Sequence, residues 1–182
     1  MKYLILLGCI SPFFIFGQKH DYIWISGDSN TPNTTAHGGI VIDFNQTPVK
    51  PYYKYRDLNM FICNASICDS FGRLLAYTNG CHIAGANDSI LENGNMINPG
   101  TAWQVSCIQN ADGYASGIQS AVFLPLPEND SIYYLFHKPI KLILTPLSGY
   151  PEGLLYSVVN MKENNGIGKV TSKNVEVIKD TL

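Results

Sequence analysis

Hydrophobic positions along the chain fall in short runs, and the spacing of three and four that marks a helix is almost absent. The runs cover residues 22–25, 39–44, 60–68, 74–77, 81–84, 120–124, 132–136, 140–144, 154–159 and 175–178. Turn-forming Gly, Pro, Asn and Asp lie between most of them, which predicts short strands and an all-β fold. The centre reads most clearly. Asp69-Ser70-Phe71-Gly72 turns 60–68 back onto 73–77, with Gly72 suited to positive φ. Asn79-Gly80 then predicts a type I′ turn into 81–84, completing an antiparallel meander of three strands. Residues 89–93 have room for one helical turn, closed by Gly94. A second meander follows: Pro127-Glu128-Asn129-Asp130 turns into 132–137, a long connection leads to 154–161, and Asn164-Asn165-Gly166 turns into 170–178. Phe61, Tyr77, Tyr134 and Phe136 supply ring area for packing between sheets.

Composition agrees with many turns: 16 Asn, 16 Gly and 10 Pro among 182 residues. A length of 182 fits one domain, and 46% hydrophobic residues argue against disorder. Net charge is only -2, so there is no basic field for nucleic acid or an anionic membrane. Residues 1–17 read as an export signal: Lys2 is the positive end, an apolar stretch follows, and Gly17 is a small residue at a cleavage point. The stretch is shorter than the ~20 residues of a membrane span, and the mature chain from Gln18 is expected to be exported without one. Leu6-Leu7-Gly8-Cys9 resembles a lipobox, but the apolar run continues through Phe13, Phe14 and Phe16, against acylation at Cys9.

Four cysteines remain after the signal, Cys63, Cys68, Cys81 and Cys107, and an even number in an exported chain permits disulfides. They are candidate structural cysteines, either buried thiols or joined by one longer-range bridge. A Cys63–Cys68 bridge would need a break in the strand, because five residues of strand separate them by ~16 Å. No Cys or His spacing matches a zinc site. The histidines His20, His37, His82 and His137 stand in unrelated contexts, with His37 before Gly38-Gly39 the best single candidate for a ligand contact. Asp28, Ser29, Asn30 and Asn33, and likewise Asn87, Asp88, Glu92 and Asn93, offer loop oxygens but no calcium-loop pattern, and read as Asx turns. Gly166-Ile167-Gly168-Lys169 lacks the spacing of a phosphate loop and reads as a hairpin turn. No catalytic, cofactor or metal constellation emerges.

The stretch from Asn64-Ala65-Ser66-Ile67-Cys68 through Gly72-Arg73-Leu74-Leu75-Ala76-Tyr77 to Asn79-Gly80 resembles the first blade of a group of secreted β-propellers. That group comes from gliding, type IX-secreting bacteria of the Bacteroidetes kind. Ile90-Leu91-Glu92-Asn93-Gly94, Tyr133-Tyr134-Leu135-Phe136-His137 and Tyr156-Ser157-Val158-Val159-Asn160-Met161 match its continuation. Asp88-Ser89-Ile90, Asp130-Ser131-Ile132 and Asp180-Thr181-Leu182 resemble the same group's O-glycosylation signal. The resemblance implies a WD40- or YVTN-like propeller built of four-stranded meanders. Residues 18–182 would then supply about two blades, near 19–110 and 111–182, of a ring that commonly needs ~4–8. A fragment of a longer propeller is therefore expected, with a small β-sandwich as the alternative. The expected function is a non-enzymatic binding or scaffold module at the cell surface or in the extracellular space, with a protein or glycan ligand and no cofactor. The alternative is part of a secreted hydrolase or lyase whose active site lies in other sequence.

Overall fold

A computed structural model describes residues 17–27, 39–60, 62–109, 113–114, 119–144 and 147–179. The leader up to Phe16, the Asp28–Asn33 loop, His37 and Phe61 lie outside them. The described chain is all-β, in antiparallel sheets. The first sheet holds β1 (Ile23–Ser26), β2 (Ile40–Asp43) and β3 (Tyr52–Tyr53), and the second β4 (Ala65–Cys68), β5 (Leu74–Thr78) and β6 (Ile83–Gly85). The third holds β7 (Ala121–Pro125), β8 (Ile132–His137), β11 (Leu154–Asn160) and β12 (Lys169–Ile178) in the order β12-β11-β8-β7. A separate hairpin, β9 (Ile140–Leu144) with β10 (Leu147–Pro151), fills the connection between β8 and β11. Among the described residues, the span 19–110 holds two sheets of three strands each.

The sheets stack. On one face of the second sheet, Ile67, Ala76 and Ile83 meet Phe123, Tyr133, Leu135, Val159 and Val170 of the third. On the other, Tyr77 and Ala84 meet Ile25 of the first sheet together with Met60. A sheet covered on both faces loses the apolar–polar alternation of a half-exposed one, which explains the continuous run Leu74-Leu75-Ala76-Tyr77. Residues 89–97 form no helical turn. They run irregularly beside β6, where Leu91 N–H donates to the Ile83 carbonyl and Ile83 N–H to the Gly94 carbonyl.

Asn79-Gly80 does not form a type I′ turn, since only Gly80 of the pair takes positive φ. The Asn79 side chain instead accepts the N–H groups of Cys81 and His82, and this Asx geometry widens the hairpin to four residues between Thr78 and Ile83. Tyr134 and Phe136 do not pack between sheets. The positions of β8 that face the second sheet are Tyr133, Leu135 and His137, so period-two alternation turns Tyr134 and Phe136 outward, where they meet Tyr156. Tyr77 does pack between sheets, as expected. An unforeseen helical segment, α1 (Thr101–Trp103) running into a π-helical stretch (Gln104–Gln109), covers the end of the stack with Ala102 and Trp103. Among the described residues no helix is long and apolar enough to cross a membrane.

Leu135→Ala removes a fully buried side chain between the second and third sheets and is expected to cost about 2–5 kcal/mol. Phe71→Ser, at a side chain 72% exposed on a turn, should stay within ~0.5 kcal/mol of the parent. Urea unfolding of both variants checks the pair.

Candidate binding cleft

Each sheet begins with an edge strand, and the stacking sets β4 against both β1 and β7. Ser66 Oγ donates to the Ile23 carbonyl at 2.6 Å, and Cys68 N–H to the His20 carbonyl at 2.8 Å, fastening β4 to the segment around β1. Where the three edges meet lies an open cleft of about 800 Å³. One wall is the outer face of the first sheet, Trp24, Ile40 and Ile42; the opposite wall is β7, and consecutive residues of β4 form the floor. Gln18, His20, Asp21, Ser26, Asn64 and Ser66 supply the polar groups. A largely apolar concavity with a few polar groups fits ligand binding. Trp24 is 55% exposed and meets Phe44 edge-on at 5.2 Å, so its ring is held but reachable.

The remaining chemistry lies in the interfaces between sheets. His137, Ser157 and Asn98 together have the composition of a nucleophile triad. His137 Nδ1 lies 2.6 Å from Asn98 Oδ1 and Nε2 lies 3.0 Å from Ser157 Oγ. Asn98 Nδ2 donates to the Gly80 carbonyl, which leaves Oδ1 to accept from Nδ1–H and sets the tautomer. Asn174 N–H donates to Ser157 Oγ, and Asn98 N–H to Asn174 Oδ1. Every member of this triad is buried, Ser157 completely, so no substrate reaches the hydroxyl. The network instead ties the third sheet to the hairpin end of the second. Burial pushes His137 down to about 4, which keeps the ring neutral.

Asp88 plays the matching part between the first two sheets. Its carboxylate takes Lys54 Nζ at 2.9 Å, the Tyr77 hydroxyl at 2.9 Å and the Arg56 guanidinium, which also lies over the Tyr77 ring. Glu92 pairs separately with Lys169 at 2.7 Å. These ion pairs take up both carboxylates of the 87–93 loop considered for calcium. Among the described residues no group of three His, Cys, Asp or Glu is placed to hold a metal. Burial pushes the Asp69 carboxyl up, but the N–H groups of Arg73 and Phe71 and the Arg73 guanidinium outweigh it and hold the group below its ordinary value.

Of the histidines, His20 reaches the cleft and holds the Cys68 carbonyl at 2.7 Å. His82 packs edge-on against Trp103, and burial lowers its pKa. The cysteines divide. Cys81 and Cys107 form a disulfide across 26 residues with a Cα separation of 5.7 Å. Cys63 and Cys68 are buried outside any bridge, and burial pushes the Cys68 thiol up to about 11. Gly166-Ile167-Gly168-Lys169 lies, as expected, in the turn from β11 to β12. Sequence reading missed the cleft and the His137 network, whose members are far apart along the chain. No family model, curated protein or solved structure matches the chain.

His137 titrates near 6.5 when unfolded and near 4 when folded, so the unfolded state binds the extra proton between those values. Its stability contribution is complete above pH 6.5 and falls away toward pH 4, by about 3 kcal/mol. Urea unfolding across that range should show the slope, and His137→Gln should flatten it. Reduction of Cys81–Cys107, or Cys107→Ser, should cost ~3 kcal/mol and lower Tm, read by thermal scans with and without reductant.

Proposed function

We propose that the chain is an exported, non-enzymatic binding or scaffold module of propeller-like design, part of a longer protein and working at the cell surface or in the extracellular space. The side-by-side alignment of β1, β4 and β7, the first strand of each stacked sheet, carries this reading. In a propeller each blade is a meander whose first strand lies innermost, so successive sheets bring those strands together around a channel. The cleft at their meeting is then the ligand site, with Trp24 as its exposed anchor.

Three further observations support the reading. The Cys81–Cys107 bridge suits an oxidising compartment, and export would supply one. The outer faces of the first and third sheets carry apolar side chains, among them Ile40, Val122 and Leu124, as sheets meant to receive neighbours do. A sealed Ser157 and a neutral, buried His137 favour a structural use of this triad-like group.

Fractionation of the native cell with mass spectrometry of the recovered chain tests export. The expected result is a chain outside the cytoplasm, beginning at Gln18 and oxidised at Cys81 and Cys107. A cytoplasmic chain retaining Met1 and reduced at both positions would contradict it.

A further inference from the structure

We infer that the cleft captures an extended polypeptide segment, which adds as a strand to the free edge of β7. This deepens the proposed binding role and rests on it. The hydrogen-bond register of β7 is the starting point. Lys138 N–H donates to the Ser120 carbonyl and Leu126 N–H to the Ile132 carbonyl, at either end of the β7–β8 ladder. The register between those bonds is regular, pairing Val122 with Phe136 and Leu124 with Tyr134. In an antiparallel pair the bonded residues alternate. Ser120, Val122, Leu124 and Leu126 therefore spend their main-chain groups on β8. Ala121 and Phe123 direct both N–H and C=O away from it, and Pro125 directs its carbonyl the same way.

Nothing among the described residues takes up those outward groups. They face the cleft: all five residues of β7 line it, although their side chains point alternately to opposite faces, so it is the strand edge that borders the space. An exposed edge with unpaired main-chain groups is a template for another strand. β7 is five residues long, about 17 Å of strand, which sets the length of the partner segment. Across the cleft, Trp24, Ile40 and Ile42 offer apolar contact to alternate side chains of such a segment. Among the described residues Asp21 is the one carboxylate lining the cleft, and no described Lys or Arg lines it, so charge complementarity favours a segment with a basic residue at one end. A glycan would stack on Trp24 but would leave the amides of Ala121 and Phe123 without a matching row of partners.

The test titrates the purified full chain with the peptide Ac-Lys-Val-Thr-Val-Thr-Val-NH2, observed through backbone amide resonances. Two counterparts are N-methylated at alternate residues, one in each phase, and a third carries Glu in place of Lys. Strand addition predicts saturable binding with the largest shifts at the Ala121 and Phe123 amides and smaller ones at Val122 and Leu124. Affinity should fall at least tenfold for one or both methylated peptides, and several-fold for the Glu peptide. Ala121→Pro deletes an outward donor while leaving the bonds to β8 intact, as Pro on an edge strand permits, and should weaken binding about tenfold. Equal affinity for parent and methylated peptides, or no saturable binding of the parent peptide, overturns strand addition. Chitohexaose or cellohexaose that shifts Trp24 when the peptide does not bind overturns it too, while preserving a binding role for the cleft. Failure of the export test leaves these outcomes unaffected, so the two readings fail separately.

Discussion

The fold depends on burying both faces of one small sheet. The second sheet has only three short strands, yet Ile67, Ala76 and Ile83 pack to one side while Tyr77 and Ala84 pack to the other. A sheet of three short strands is near the smallest that holds together, and only by covering its apolar faces, so its neighbours hold it in place as much as its own ladder does. Each of its two interfaces also contains a side-chain polar cluster. Asp88, with Lys54, Arg56 and Tyr77, joins the first sheet to the second. Asn98, His137 and Ser157 join the second to the third. Buried polar groups are costly unless paired, so a slip of either interface would strand them, and the stack is specified as well as stabilised.

From that constraint the cleft follows. Stacking three meanders that each start at an edge brings β1, β4 and β7 together and leaves their edges around one concavity. The walls are apolar because they continue the outer faces of the first and third sheets. The main-chain edge of β7 is open because β7 ends its sheet, and the register with β8 sets Ala121 and Phe123 as the residues that present their groups there.

Much of this was legible in the sequence. Nearly every predicted run forms a strand, because short β-rich segments bounded by Gly, Asn and Pro carry their own local signal. Gly72 takes positive φ at the turn where it was required, and Asn129 organises the turn before β8 by accepting from Ser131 and Ile132. What was not legible depends on partners distant in sequence. Cys81 chose Cys107 from several possible pairs because α1 and the stretch after it fold over the hairpin end. His137 looked solitary because Asn98 lies 39 residues away and Ser157 another 20. Asn79 deceived because its side chain caps a wider loop by accepting from the Cys81 and His82 N–H groups, while its backbone carbonyl accepts from Tyr114 N–H. Tyr134 and Phe136 showed which strand they belong to but not which face.

Native-state hydrogen exchange, read residue by residue, shows whether the middle sheet is held from both sides while the β7 edge stays open. Ile67, Tyr77 and Ile83 should fall in the slowest-exchanging, globally unfolding group. Val122 and Leu124 should be protected while Ala121 and Phe123, between and beside them, exchange quickly. Uniform protection along β7, or a second sheet that opens before the third, would contradict this arrangement.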